Sequence, residues 1–271
     1  MFCETKYLRE NNSDVYLKAF ISDSIVPQGA RPAVLVIPGG GYSYCSAREA
    51  EPVAKKFIAE GFNAFVLNYT LLPDVFGKDG EFIPLTDTAL ALAYIRENSE
   101  RYFVNPEKIA VIGFSAGGHL AALIGARWHE EKLALASGKK NEDIKPNAVL
   151  MSYALSVTRE QPGIENLMKN SFENADELLD YLSADLAVTE HMPPTFMWHT
   201  APDNVVPVKE TLIMAQALSA AKIPFETHIF PVGGHGLSVC DADVGEINFD
   251  TRYCSAWVKY ALDWVKMTFS L

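Results

Sequence analysis

Six short, mostly apolar runs constrain this chain more than any other feature. They are Ala33-Val34-Leu35-Val36-Ile37, Ala64-Phe65-Val66-Leu67, Ile109-Ala110-Val111-Ile112, Ala148-Val149-Leu150-Met151, Thr195-Phe196-Met197-Trp198 and Thr227-His228-Ile229-Phe230. A strand with one wet face alternates apolar and polar residues. Runs of four or five without that alternation suit strands covered on both faces, as in parallel sheets. Helical patterns lie between them. Val53, Ala54, Phe57 and Ile58 recur at helical spacing and Gly61 follows as a C-cap, with further helices expected near 86–98, 116–128, 209–221 and 253–267. The start of the first helix is in conflict: Ser46 and Glu49 have capping-box spacing, while Pro52 prefers the first helical turn. Strands alternating with helices imply βαβ units, hence an α/β chain with a mostly parallel, doubly wound sheet and helices on both faces. The first thirty residues, including 15–21, read as a strand pair on one edge.

At 271 residues the chain fits one domain, 1–271, with a single large core. One segment breaks the rhythm. About 155–190 is rich in acids and weak in pattern, and a structureless loop of that length is uncommon in a compact domain. It reads either as a small cap or lid insertion, with a helix around 175–182, or as an ordinary crossover with a long loop.

Net charge is −11, with Lys and Arg scattered. Phosphate backbones and anionic lipid both select a concentrated basic surface, so neither nucleic acid nor membrane is expected as a partner. No stretch of eighteen apolar residues spans a bilayer. Cys3, Cys45, Cys240 and Cys254 have neither zinc-ligand nor redox spacing. With no basic region and apolar run after Met1, the expectation is a cytoplasmic protein with reduced thiols. Cys45 reads as a buried inert thiol in preference to a site residue.

The chemistry gathers at four places. Gly113-Phe114-Ser115-Ala116-Gly117-Gly118 follows one apolar run directly and opens a helical pattern. A strand-turn-helix of this kind pushes one side chain out above the sheet edge, and the helix N-terminus aims N–H groups at developing negative charge. Ser115 is therefore the candidate nucleophile. Pro38-Gly39-Gly40-Gly41-Tyr42 follows the first run. Three glycines in succession cost conformational entropy and make sense where backbone must approach a ligand. Gly40 and Gly41, with Ala116, are the candidate oxyanion donors. Among six histidines, His235 lies in a glycine-flanked loop just beyond the last run, whereas His228 sits inside that run and reads as a structural imidazole. Asp203, just after the Thr195 run, is placed to accept the Nδ1–H of His235 and fix its tautomer. Its bland alternative is a turn or N-cap aspartate. His119 reads as packed beneath the site, and Asp87 and Arg96 as surface or helix-terminus charges. No metal or other cofactor is called for.

With these residues in place, the chain resembles the α/β-hydrolase esterase/lipase family, in the branch of small acetyl-xylan, feruloyl and related carbohydrate esterases. The matching stretches are PGGGY (38–42), REAEPVAKKF (48–57), FVLNY (65–69), GFSAGGHLAA (113–122), PPTFMWHTAPDNVVPV (193–208) and PFETHIFPVGGHGL (224–237). The resemblance implies an α/β-hydrolase fold, a Ser115–Asp203–His235 triad, and an oxyanion hole from Gly40, Gly41 and Ala116. It also implies serine carboxylesterase activity on small acyl esters, acetyl foremost and carbohydrate esters included, through an acyl-enzyme. Pro38 replaces the histidine common in that glycine loop, which removes a polar anchor. Two rival readings stand beside it: a prolyl-oligopeptidase-like serine peptidase, and a non-catalytic binding protein on a hydrolase scaffold. Helices at an exposed sheet edge are compatible with a homodimer.

Overall fold

A computed structural model describes all residues except 23–28, 78–79, 161–168 and 171. Its strands are β1 (Phe2–Arg9), β2 (Asn12–Ile21), β3 (Arg31–Ile37), β4 (Asn63–Asn68), β5 (Val104–Phe114), β6 (Ala148–Ser152), β7 (Thr195–Thr200) and β8 (Phe225–Phe230). They form one sheet in the order β1-β2-β4-β3-β5-β6-β7-β8. β1 and β2 pair antiparallel, as do β2 and β4, and every pairing from β4 across to β8 is parallel. This is the α/β-hydrolase arrangement. The helices are α1 (Glu51–Ala59), α2 (Ile83–Glu97), α3 (Ala116–Arg127), α4 (Glu131–Ser137), α5 (Asn141–Ile144), α6 (Ala175–Leu182), α7 (Lys209–Ala220), α8 (Phe249–Cys254) and α9 (Ala256–Thr268).

The period-two geometry of a strand sends neighbouring side chains to opposite faces, and here both faces are dry. Leu35, Ile37 and Val111 join Leu92 of α2 and Leu120 and Leu123 of α3 in one core. Val34, Val36 and Ile112 join Phe57 of α1 and Trp257 and Val265 of α9 in the other. Full burial of one such side chain is worth about 1.5–3 kcal/mol, which is why the inner strands carry no polar alternation. β8 is different. It is an edge strand with only Phe230 buried, and Phe225 and Ile229 stay exposed.

Two local expectations are corrected. Ser46 makes no side-chain cap; a 3-10 turn, Ala47–Glu49, precedes α1, which carries Pro52 in its first turn, and the Glu49 carboxylate is engaged elsewhere. Asp87 is no surface charge. It is fully buried, accepting the N–H of Thr70 at 2.8 Å and pairing with Arg9. Arg96 does lie in the last turn of α2, as a helix-terminus charge, and it donates to the carbonyls of Pro106, Asp143 and Lys145, binding α2 to β5 and to the approach of β6.

In the segment 155–190, α6 forms where the pattern placed it and packs Leu178, Leu179 and Leu182 into the α2–α3 core. Part of that segment, 161–168 and 171, lies outside the described residues. Among the described residues, no helix is long and apolar enough to cross a membrane.

Candidate active site

The turn at Ser115 follows from what its neighbours lack. A Cβ on Gly113 would meet the carbonyl oxygen of Gly117 at 2.0 Å, and one on Gly117 would meet that of Ile37 at 2.1 Å. Only glycine allows β5 to reverse this sharply into α3. Ser115 itself holds φ 52° and ψ −117°, a sparsely populated conformation of the kind stored at reacting centres. Its N–H donates to Ser152 and its carbonyl accepts from His119, so the turn is held from both sides while Oγ is thrust clear of the sheet.

Two loops reach it from the far end of the chain. The loop after β8 brings His235, whose Nε2 lies 2.9 Å from Ser115 Oγ. The loop after β7 brings Asp203, whose Oδ2 lies 2.7 Å from His235 Nδ1. A carboxylate cannot donate, so Nδ1 carries the ring proton and Nε2 presents its lone pair to the serine hydroxyl. Asp203 Oδ1 accepts the N–H groups of Val205 and Val206 at 2.9 and 3.0 Å, and His199 Nε2 approaches Oδ2 at 3.2 Å. Burial acts to raise the Asp203 carboxyl. The hydrogen bonds from His199, His235, Val205 and Val206 outweigh it and hold the group well below the usual carboxylate range. It stays ionised beside the imidazole.

The glycine loop lies against the same serine. A Cβ on Gly39 would sit 3.0 Å from that of Ser115. Gly39 N–H is spent on Glu49 Oε2 at 2.9 Å, which removes Gly39 as a donor to substrate. The N–H groups of Gly40, Gly41 and Ala116 have no protein acceptor among the described residues. Gly40 holds φ 125°, reached cheaply only without a side chain. The loop, deprived of a histidine anchor by Pro38, is tied instead by Glu49 and by Tyr69 O–H, which donates to the Pro38 carbonyl at 2.8 Å.

His119 is fully buried under the loop, as expected. Its Nε2 faces the Leu182 carbonyl at 2.6 Å and its Nδ1 the Tyr42 hydroxyl at 2.7 Å. Burial pushes its pKa down to about 4, so the neutral ring donates from Nε2 and accepts at Nδ1. His228 is partly exposed, bonded to Glu226 and stacked on Tyr260. Cys45 is half-buried, and burial pushes its thiol up to about 11, partly offset by a backbone hydrogen bond from Tyr69. It is inert. Glu49 carried no signal in the sequence beyond a capping-box spacing it does not use.

The His119 pKa has a consequence for stability. Unfolded histidine titrates near about 6.5, so between that value and about 4 the unfolded chain binds the extra proton. The stabilisation is present above pH 6.5 and is lost as pH falls toward 4. Between pH 7 and pH 5 wild type is expected to lose about 2 kcal/mol more than His119→Gln, measured by denaturant unfolding at both pH values. Equal slopes in the two proteins would refute it.

Comparison with known proteins identifies the family. The BD-FAE family matches residues 21–218. Endo-1,4-beta-xylanase B of Butyrivibrio fibrisolvens is 36% identical over 78% of this chain, and the acetylxylan esterase of Xylanibacter ruminicola is 27% identical over 75% of it. The chain spans only 33% and 40% of those two relatives. The acetyl ester-xyloside bifunctional hydrolase of Caldicellulosiruptor lactoaceticus superposes with a TM-score of 0.74 at 32% identity, covering 95% of this chain and 96% of that one. With that match to most of its length, and with the α/β-hydrolase strand order, the chain belongs to the BD-FAE family.

Proposed function

We propose that this chain is a serine carboxylesterase that removes small acyl groups, acetyl foremost, from hydroxyl-bearing substrates, carbohydrates included. The reading is carried by one observation: a hydrogen-bonded line from Asp203 through His235 to Ser115, beside amide N–H groups with no acceptor among the described residues. Relatives named for acetylxylan and acetyl ester-xyloside hydrolysis support the choice of acyl group and alcohol.

In the proposed reaction, His235 Nε2 takes the proton of Ser115 as Oγ attacks the ester carbonyl. The oxyanion receives hydrogen bonds from Ala116 N–H and from the N–H of Gly40 or Gly41. One such donor is typically worth about 100- to 1000-fold in rate. Asp203 stabilises the imidazolium. As the tetrahedral intermediate collapses, His235 gives its proton to the departing alcohol; water then attacks the acyl-enzyme by the same steps and releases the acid.

The test is an activity profile. Turnover of p-nitrophenyl acetate is expected to exceed that of the octanoate by about tenfold or more, since a small acyl site rejects added methylenes. Acetylated xylo-oligosaccharides are expected to be deacetylated and aminoacyl dyes left intact. A preference for octanoate would overturn the small-acyl reading, and cleavage of proline dyes alone would favour a peptidase.

A further inference from the structure

We infer that Glu49 is a positioning residue for this reaction, a buried carboxylate that holds the oxyanion loop and the base loop in a fixed relation; the inference rests on the esterase reading. Glu49 is 4% exposed, and its two oxygens serve different loops. Oε2 accepts the N–H of Gly39, one residue before the Gly40 amide. Oε1 accepts the hydroxyl proton of Tyr153 at 2.6 Å. That hydroxyl in turn accepts the N–H of Ser238 at 3.0 Å, three residues beyond His235. The Tyr153 ring lies edge-to-face against the His235 imidazole, centroids 5.0 Å apart. Ser238 Oγ closes the circuit, donating to the carbonyl of Arg48 at 2.5 Å.

The proton directions are fixed. Burial first, and then the charge of Glu49, raise the Tyr153 phenol well above its ordinary value, so it is a neutral donor. A carboxylate here costs desolvation, and its partners are neutral N–H and O–H groups. What it supplies is two acceptors at one rigid separation and no donor, so Gly39 and Tyr153 can both bond to it at once. Contact is close enough to transmit small shifts. A Cβ added to Gly39 would lie 2.7 Å from Glu49 Oε2, 2.7 Å from the Phe114 carbonyl oxygen and 3.0 Å from Ser115 Cβ, so the glycine backbone is packed directly between the carboxylate and the nucleophile turn. Movement of the carboxylate therefore moves the amide loop against the nucleophile. The same movement releases Tyr153 from behind the base.

Glu49→Gln tests this directly, because an amide offers one acceptor and one donor group and must leave either Gly39 N–H or Tyr153 O–H unpaired. The expected result is a fall in kcat on p-nitrophenyl acetate of about 10- to 100-fold, less than outright loss of an oxyanion donor. KM stays within twofold. Affinity for a boronic acid, which forms a tetrahedral adduct on Ser115, falls in proportion to kcat/KM. Tyr153→Phe keeps the Gly39 bond and severs the link to Ser238; it is expected to lose less, and the double variant to lose no more than Glu49→Gln alone, because both act through one network. A folded Glu49→Gln protein with kcat and boronate affinity within twofold of wild type overturns the inference. If that variant does not fold, an unimpaired Tyr153→Phe overturns it equally. Wild type that neither hydrolyses esters nor labels with a fluorophosphonate removes the esterase reading and this inference together; an active wild type beside an unimpaired Glu49→Gln removes only the inference.

Discussion

Ser115→Ala is expected to abolish esterase turnover, by about 10⁴- to 10⁶-fold, in a protein that remains folded. The size follows from what the residue does in the proposed reaction: without Oγ there is no acyl-enzyme, and only the amide donors and substrate binding are left to act on attacking water. Persistence of the fold follows from the backbone. Ser115 is held by its N–H to Ser152 and by its carbonyl to the N–H of His119, and alanine keeps both bonds. It also keeps the same Cβ, so the strain at φ 52° is unchanged. His235 Nε2 loses its partner, but the ring is partly exposed and water can serve it. Initial rates on p-nitrophenyl acetate, the mass shift on fluorophosphonate labelling and a thermal melt together read the result. Full activity in the variant would remove Ser115 as the nucleophile.

The buried strands were legible because burial on both faces leaves a local mark, a short run with nothing polar in it. The turn at Ser115 was legible for a related reason. Its glycines are required by atoms four and five residues on, as with Gly113 against Gly117 and Gly118, or by a strand the chain has already laid down, as with Gly117 against Ile37. Asp203 and His235 carry no such mark. Their places just after the last two apolar runs, the glycines flanking His235 and a family resemblance singled them out, and their meeting with Ser115 depends on where β7 and β8 end.

What sequence reading missed is uniformly non-local. Asp87 looks like any helical acid until Arg9, 78 residues away, and Thr70 are brought to it. Arg96 has its carbonyl acceptors up to 49 residues on. Glu49 reaches Tyr153 across 104 residues. A charged side chain in an otherwise solvent-like pattern gives no hint of which distant donors will enclose it, because its burial is decided by topology. The capping-box spacing at Ser46 and Glu49 was misleading for the same reason: tertiary donors outcompeted a local N–H for the carboxylate.

Asp203→Asn carries the second large expected effect, about 10⁴-fold in kcat with KM little changed, and its cause is a tautomer. The N–H groups of Val205 and Val206 both point at Oδ1, so the oxygen of the new amide takes that place and its NH2 takes the place of Oδ2. That NH2 faces His235 Nδ1. Two donors cannot bond to each other, so the ring moves its proton to Nε2, and the nitrogen facing Ser115 has no lone pair with which to accept the hydroxyl proton. His199 keeps the Val206 carbonyl at 2.9 Å, so the fold survives. Stability gives an independent reading. With its folded pKa depressed, Asp203 contributes stability that is present above the unfolded value of about 3.9 and lost as pH falls below it. The gap in thermal midpoint between wild type and Asp203→Asn should therefore narrow as pH falls below about 4, while the gap in kcat persists at every pH where the wild-type base is neutral. A variant within tenfold of wild-type kcat at neutral pH would mean that the carboxylate does not set the state of His235, and the triad would have to be assigned anew.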